Sequence, residues 1–343
     1  MARIVVAGAG AVGASIAYHL GLRGAKDVVL ADRGEIASGA TGKAMGGVRQ
    51  QFSTEPEVRL AQASVRLFQE LGAPLFEQVG YLFLATTPEG LGELERRAEL
   101  QRGLGVPVEE ADASLVRGLR ADDVLGAAIC REDGVADPVG VTRELIRRSR
   151  VEVREHTDAR ELDADVLVVA CGARSPELVP GLPIRSLVRQ LVEVGPVEGI
   201  PEDLPMTIEE TGFHFRRVGS DRLRLAMGEP TPRWGEDEVV DEALVEDWRR
   251  RLAHRYPQAA RAPVVRAWAG LYDMTPDAHP IIGWVGEGVY AACGFSGHGF
   301  MQAPAVGEAV AEELLEGASS FDLTPFRRER FSGEAVFPES LIL

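Results

Sequence analysis

Short apolar runs alternate with polar and small-residue segments along the chain, and two such runs stand close together near its start. The run at 4–7 reads IVVA and the run at 28–31 reads VVLA. Apolar, β-branched runs of this length are typical of buried parallel strands. A helix-like segment joins them, so a strand–helix–strand unit is predicted at the start of the chain.

The periodicity of apolar positions predicts the elements that follow. Helical spacing predicts helices over 54–72, 88–103, 138–148, 241–256 and 303–315. Apolar runs predict strands at 80–86, 151–153, 165–172 and 289–293, with strand-and-turn segments at 106–110 and 126–133. Alternation over 184–194 and 207–227 predicts antiparallel strands of a separate sheet. The expected fold class is therefore α/β, with a mostly antiparallel second domain inserted in pieces.

Three glycines follow the first strand in a GxGxxG pattern. Gly8, Gly10 and Gly13 permit a tight turn, close approach of backbone to a pyrophosphate, and close packing of helix on strand. Asp32, at the end of the second strand, can accept hydrogen bonds from ribose hydroxyls. The pattern predicts dinucleotide binding at the helix N-terminus, and a plain strand–helix turn is the alternative.

The segment 33–52 is rich in Gly, Ala, Ser and Thr and is too long for a simple turn. A loop of such small residues can lay backbone N–H groups along a cofactor. A flexible surface loop is the alternative interpretation.

Charge and cysteine content exclude several classes of function. A net charge of −16 over 343 residues argues against nucleic acid or an anionic membrane surface as partner. Cys130, Cys171 and Cys293 form no CxxC or other metal-ligand pattern, so no metal site is expected. No apolar run approaches the ~18 residues of a membrane span. No leader precedes the first strand, so a cytoplasmic location is expected.

Four segments together carry a resemblance to a known family: GAGAVGASIAYHL with Asp32, SGATGKAMGGVRQQF, DVLVVACGARSPEL, and WAGLYDMTPDAHPIIG followed by YAACGFSGHGFMQAPAVG. Through them the chain resembles the FAD-dependent D-amino-acid oxidase superfamily. It is most similar to the branch that holds sarcosine oxidase β-subunits, glycine oxidase and the β-subunits of L-proline dehydrogenases. The resemblance implies oxidation of the C–N bond of an amino acid or amine to an imine, with hydride transfer to flavin N5. O2 or another acceptor would then take the electrons.

The resemblance also implies a domain division. A Rossmann-like FAD-binding domain is expected from 1–79, 137–178 and 264–331, and a substrate-binding domain from 80–136 and 179–263. The remaining 332–343 would form a C-terminal tail.

The cofactor contacts are assigned from the nucleotide motif and the matched segments. They are Gly8, Gly10, Ala11, Val12, Gly13, Asp32, Arg33, Ser38, Ala40, Thr41, Lys43, Met45, Gly46, Gly47, Ala159, Ala170, Cys171, Gly172, Gly270, Gly294, Gly297, His298, Gly299, Phe300 and Met301. FAD is expected to be bound non-covalently, because the cysteine and histidine that attach it in some relatives would fall near Gly270 and Lys43. Here neither position holds a residue that can form such a bond.

Four residues are candidates for the substrate end of the site. Arg49 would grip the substrate carboxylate bidentately; a surface arginine, or one that pairs with a protein carboxylate, is the alternative. His298 would line the pyrimidine side of the flavin, unless it is a structural histidine. His214 stands where relatives often carry an aromatic residue that faces the substrate. Tyr272 stands where glycine oxidase-like members carry an arginine.

Three positions depart from the family pattern. Tyr272 and Met301 replace cationic carboxylate anchors, which argues against glycine and sarcosine themselves as substrates. Arg224 would replace the lysine that promotes reaction with O2 in sarcosine oxidases. Ala159 would contact adenine through its backbone, although the segment between 151–153 and 165–172 is shorter than in relatives.

Two alternatives to a self-sufficient amine oxidoreductase stay open at this point. One is a flavin-bearing β-subunit that is inactive outside a hetero-oligomer, which makes a partner subunit possible. The other is a NAD-dependent dehydrogenase with the same opening motif, against which the GFSGHGF segment argues.

Overall fold

The structure, a computed structural model, describes residues 2–333, 338 and 339. In these residues the α-helices are α1 (Ala11–Leu22), α2 (Glu55–Leu71), α3 (Pro88–Gly103), α4 (Pro138–Ser149), α5 (Glu242–Arg255) and α6 (Gly299–Glu316). The strands are β1 (Ile4–Ala7), β2 (Val28–Ala31), β3 (Gly47–Val48), β4 (Phe76–Glu77), β5 (Tyr81–Ala85), β6 (Val108–Glu110), β7 (Gly126–Cys130), β8 (Gly134–Ala136), β9 (Glu152–Arg154), β10 (Val166–Val169), β11 (Arg185–Val194), β12 (Met206–Glu209), β13 (His214–Val218), β14 (Arg222–Ala226), β15 (Arg233–Trp234), β16 (Val264–Met274), β17 (Ile281–Gly286) and β18 (Val289–Cys293).

The first sheet is the parallel sheet that the apolar runs predicted. Its strand order is β17-β18-β10-β1-β2-β9, and β1 pairs in parallel with both β10 and β2. All residues of β1 and β2 are buried. Because both faces of these strands are covered, neither strand carries a polar residue.

Helix α1 lies against this sheet and contacts both α4 and α6. The contact with α6 is close, because a Cβ atom on Gly307 would lie only 2.3 Å from the Ser15 hydroxyl oxygen. Glycine at this position therefore lets the two helices approach closely.

The second sheet is the mostly antiparallel one that the alternating segments predicted. Its order is β15-β11-β14-β13-β12-β5-β7-β6, and β16 pairs with β11. Helix α5 contributes Trp248 to a core cluster with Phe213 and Phe215. The pairing of β16 carries this sheet past the predicted domain boundary at 264.

Several elements differ from the prediction: the strands β3, β4, β8, β15, β16 and β17 are additional, and α6 has a different start. Strand β17 was not predicted, and it forms an edge of the first sheet by antiparallel pairing with β18. Helix α6 begins at Gly299, four residues before the predicted start at 303. The reason is a sharp turn at Ser296 and Gly297, whose φ angles are +53° and +95°, after which the chain enters the helix directly.

A small third sheet has the order β3-β8-β4. The predicted tail at 332–343 lies for the most part outside the described residues. Glu339, which is described, accepts hydrogen bonds from the Ser53 amide at 3.1 Å and the Thr54 hydroxyl at 3.0 Å. Within the described residues, no helix has both the length and the apolarity that a membrane crossing requires.

Candidate active site

A cavity of about 530 Å³ lies between the carboxyl ends of the parallel strands and the second sheet. Its walls are formed by the turn after β1, the end of β2, the loop 37–47, strands β11 and β16, and the start of α6. Ligands of open parallel sheets bind outside the carboxyl ends of the strands. The cavity therefore occupies the position at which the GxGxxG motif predicts a dinucleotide.

The turn after β1 is built so closely that two of its positions require glycine. A Cβ atom on Gly8 would lie 2.4 Å from the carbonyl oxygen of Ala170, and φ at Gly8 is +106°. A Cβ atom on Gly13 would lie 1.8 Å from the carbonyl oxygen of Gly8. The amide of Ala11 donates to the Thr41 hydroxyl at 3.0 Å. This turn presents the N-terminus of α1 to the cavity, where phosphate groups are stabilised.

Asp32 lines the cavity at the end of β2. Its Oδ2 atom accepts a hydrogen bond from the Ala9 amide at 2.7 Å, and its Oδ1 atom accepts one from the Gly34 amide at 2.7 Å. Each oxygen keeps further lone-pair capacity. The carboxylate is therefore held in one orientation and can still accept from ribose hydroxyls.

The loop 37–47 is anchored to the second sheet. The Trp268 indole donates to the carbonyl oxygen of Lys43 at 3.1 Å, and Lys43 itself forms an ion pair with Glu238. Arg216 donates to the carbonyl oxygen of Met45 at 2.7 Å, and Arg224 donates to that of Ala44 at 2.9 Å. The small-residue segment is therefore a fixed wall of the cavity.

The start of α6 closes the opposite wall. Gly297, His298 and Gly299 line the cavity, and a Cβ atom on Gly297 would lie 2.3 Å from the Tyr272 ring. The His298 ring packs edge-on against Phe52, with 5.0 Å between the ring centroids. Because the helix begins at Gly299, its positive end lies at the cavity and favours negative charge there.

The polar end of the cavity is a group of four lining side chains that act on one another: Arg49, Arg189, His214 and Tyr272. The charges of Arg49 and Arg189 reach both His214 and Tyr272. Arg49 is only 1% exposed; its Nη1 atom donates to the carbonyl oxygen of Gln51 at 2.5 Å, and its Cζ atom lies 4.1 Å from the Phe52 ring centroid. Burial lowers the pKa of Arg49, and nearby acidic groups oppose that effect.

His214 is buried, and its Nδ1 atom lies 2.8 Å from the carbonyl oxygen of Gly212. Burial lowers the pKa of His214 to about 4. At neutral pH the ring is therefore uncharged. Since Nδ1 must carry the hydrogen to donate to a carbonyl, Nε2 is left as an acceptor.

Comparison with known proteins decides the family. The model of the family described as DAO, FAD dependent oxidoreductase, matches residues 3–313. The chain belongs to this family. FAD is accordingly its cofactor, and the glycine turn, the Asp32 carboxylate and the positive end of α6 described above fit that group.

Relatives of the DAO-family chain agree with this placement. FAD-dependent oxidoreductase domain-containing protein 1 of Bos taurus is 28% identical, with 96% of this chain and 84% of that protein aligned. Sarcosine oxidase subunit beta of Rhodobacter capsulatus is 25% identical, with 97% of this chain and 90% of that protein aligned. The crystal structure of L-proline dehydrogenase from P. horikoshii superposes with a TM-score of 0.89 at 28% identity, covering 96% of this chain and 98% of that chain.

The DAO-family cavity brings together most of the residues that the sequence singled out. Those that line it are Gly8, Gly10, Ala11, Val12, Asp32, Ser38, Ala40, Thr41, Lys43, Met45, Gly46, Gly47, Arg49, Ala170, Cys171, Gly172, His214, Gly270, Tyr272, Gly297, His298, Gly299, Phe300 and Met301. Their individual roles stay predictions, since lining a cavity does not establish a contact with ligand.

Four predicted cofactor residues do not line the cavity. Gly13 packs behind the turn, against Gly8. Arg33 pairs with Glu177 at 2.8 Å near the surface. Ala159 packs in a core cluster with residues of β1 and β2. Gly294, with φ at +75°, lies against Thr275 and Ile184.

Arg224, which the family pattern placed beside the flavin, also lies outside the cavity lining. The reason is its pairing across β11 and β14, where Arg224 and Glu193 are register partners. The Arg224 Nη2 atom lies 2.7 Å from the Glu193 carboxylate. Its guanidinium therefore supports the loop at Ala44 from behind.

Arg189 is the cavity residue of most chemical interest that the sequence did not reveal. It lies on β11, where its cross-strand partner is Gly270 of β16. The one available signal was that Arg189 is one of two arginines in the segment 184–194, the other being Arg185. Only the pairing of β11 with β16 shows that this cation lies beside Tyr272.

Among the described residues, no group of three or more His, Cys, Asp or Glu side chains could hold a metal ion.

Proposed function

We propose that this chain oxidises the C–N bond of a small amino acid or secondary amine, of the proline, sarcosine or N-methyl amino acid type, to an imine. The observation that carries the proposal is one cavity with two different ends. Gly8 and Asp32 form a dinucleotide end, and Arg49, Arg189, His214 and Tyr272 form a polar end that suits a small zwitterion. The names of the proline dehydrogenase and sarcosine oxidase relatives support the same substrate class.

Bound FAD supplies the two-electron acceptor for this reaction. The residues of the polar end have the task of binding and orienting the substrate. An arginine of this end holds the carboxylate, because a guanidinium matches a carboxylate in a bidentate geometry. The uncharged His214 ring accepts a hydrogen bond from the substrate amine at Nε2. These two contacts fix the orientation of the carbon between them.

Enclosure by side chains completes the role of the polar end. Tyr272 and Met206 contribute apolar surface to the cavity wall. Such surface excludes water and strengthens the electrostatic contacts of the bound substrate.

A second candidate function is that of a flavin-bearing subunit that works only within a hetero-oligomer. The observation that favours it is the aligned relative that is itself named as a subunit, sarcosine oxidase subunit beta. Under this proposal the purified chain binds FAD but does not turn over alone.

Anaerobic bleaching of the flavin absorbance tests both candidates. Purified protein would be mixed, without oxygen, with glycine, sarcosine, L- and D-proline, and other L- and D-amino acids. Bleaching by one compound supports the self-sufficient enzyme and identifies its substrate class. A yellow protein that no amine bleaches contradicts that reading and favours the subunit.

Readmission of air to the bleached protein then identifies the electron acceptor. Recolouring within the turnover time indicates an oxidase that uses O2. Slow recolouring indicates a dehydrogenase that transfers electrons to another acceptor.

A further inference from the structure

Arg189 is placed in the cavity but is not neutralised there. It lines the cavity and is half-buried. Its Cζ atom lies 5.4 Å from the centroid of the Tyr272 ring, a contact that positions the guanidinium without cancelling its charge. It forms no hydrogen bond or ion pair with any residue in 2–333, 338 or 339.

The other cations of the cavity lining are already balanced. Lys43 pairs with Glu238, and Arg174 pairs with Glu177 at 2.9 Å and with Glu236 at 3.4 Å. In these ion pairs both the basic and the acidic side chain already have a partner. Within residues 2–333, 338 and 339, Arg189 therefore differs from Lys43 and Arg174 in having no acidic partner.

Arg49 differs from Arg189 in its surroundings. Acidic groups of Asp133, Glu57 and Glu339 act on the buried Arg49 guanidinium, which also donates to the carbonyl oxygen of Gln51. These acidic groups offset part of the Arg49 charge. An anionic ligand gains more from Arg189, because no carboxylate of the described residues pairs with it.

We propose that Arg189 binds the carboxylate of the substrate, so that the substrate is an amino acid and not a simple amine. This inference rests on the function proposed above and names the group that selects the substrate. Because the planar fork of arginine makes two parallel hydrogen bonds, lysine at this position is not an equivalent replacement.

The test compares Arg189→Met and Arg189→Lys with the control Arg185→Met. Arg185 lies on the same strand and also stacks on an aromatic ring, with 4.3 Å from its Cζ atom to the Trp234 ring centroid, but it is outside the cavity lining. Each variant is purified with FAD, and only preparations that keep the flavin absorbance are used. Retained flavin shows that the variant is folded.

The first readout is selectivity between a substrate and the same amine without its carboxyl group, such as proline against pyrrolidine. In Arg189→Met we expect KM for the amino acid to rise at least about 30-fold, since loss of one partner of a hydrogen-bonded charge pair costs about that much in affinity. KM of Arg189→Met for the plain amine should stay within about twofold of that of the unmodified protein. The same holds for both KM values of the control Arg185→Met. Undiminished preference for the amino acid in Arg189→Met would overturn the proposal.

The second readout does not depend on turnover. Pyrrole-2-carboxylate, a planar ring carboxylate, is titrated into each protein while the flavin spectrum is followed. Binding that Arg189→Met loses, that Arg189→Lys weakens and that Arg185→Met keeps supports the role of Arg189, even if no amine bleaches the flavin. Binding unchanged in Arg189→Met, or no binding to the unmodified protein, contradicts it.

Discussion

Replacement of Glu193 by glutamine tests how strongly the second sheet, and the loop 37–47 that it anchors, depend on a buried charge. The Glu193 side chain is fully buried and lies 2.7 Å from Arg224, 2.9 Å from Arg266 and 3.2 Å from Arg222. Arg224 in turn donates to the carbonyl oxygen of Ala44 in the cavity wall. Loss of the carboxylate therefore acts both on the stability of the sheet and on the loop.

The magnitude follows from the pKa of this carboxyl group. Burial on its own would raise the pKa of Glu193, but hydrogen bonds from Arg266 and Arg224 outweigh that effect and lower it to about 2, from an ordinary value of 4.5. At about 1.4 kcal/mol per pKa unit, the difference corresponds to roughly 3 kcal/mol. Breaking a buried ion pair costs about 3–5 kcal/mol in general. We therefore expect Glu193→Gln to lower the free energy of unfolding by about 3 kcal/mol at pH 7.

Urea unfolding followed by circular dichroism measures this loss, and its pH dependence checks the cause. Because the folded pKa lies below the unfolded one, the contribution is fully present above pH 4.5 and is lost as pH falls toward 2. The control is Glu246→Gln, which breaks an exposed pair with Arg249 on α5 and should cost less than about 1 kcal/mol. A loss in Glu193→Gln no larger than in the control, or one that acid does not diminish, would refute the reasoning.

Three further predictions concern the glycine turn and two buried titratable groups. Gly13→Ala places a Cβ atom 1.8 Å from the carbonyl oxygen of Gly8, so we expect the purified variant to lack the flavin absorbance. The control Gly103→Ala, whose Cβ atom meets nothing within 4 Å, should keep the flavin. Equal flavin content in the two variants would contradict the expectation. Burial raises the pKa of Asp133 to about 6, from 3.8, so the unmodified protein should gain stability relative to Asp133→Asn as pH falls from 7 to 5. Urea unfolding midpoints of the two proteins measure this gain, and a difference between the midpoints that does not change with pH would contradict the prediction. Burial lowers the pKa of His214 to about 4, so His214→Gln should reduce kcat/KM without changing the shape of its pH profile between pH 6 and 9. A pH-dependent step in the profile of the unmodified protein that is absent from the variant would disprove this.

The parallel sheet and the dinucleotide turn could be predicted because their determinants are local. The strands Ile4–Ala7 and Val28–Ala31 have the bounds that their apolar runs indicated. The glycine turn follows from steric limits that act between near neighbours and one crossing strand, as at Gly8. Such limits leave a pattern in consecutive residues.

The start of α6 and the edge strand β17 were not predictable in the same way. Whether 281–286 forms a strand depends on its pairing with β18, since an isolated short apolar run has no fixed secondary structure. The turn at Ser296 and Gly297 is likewise set by the packing of Gly297 on the Tyr272 ring. Both features depend on contacts between distant segments.

What the sequence by itself determined is the fold class, the family and the dinucleotide end of the cavity, because each rests on motifs whose residues are adjacent in the chain. What only the tertiary structure decided is the distribution of charge at the substrate end. Arg224 is held by Glu193 behind the cavity wall, whereas Arg189 lies in the cavity beside Tyr272. The physical reason is that the surroundings of an arginine depend on which strands pair and in which register, as in the pairing of β11 with both β14 and β16.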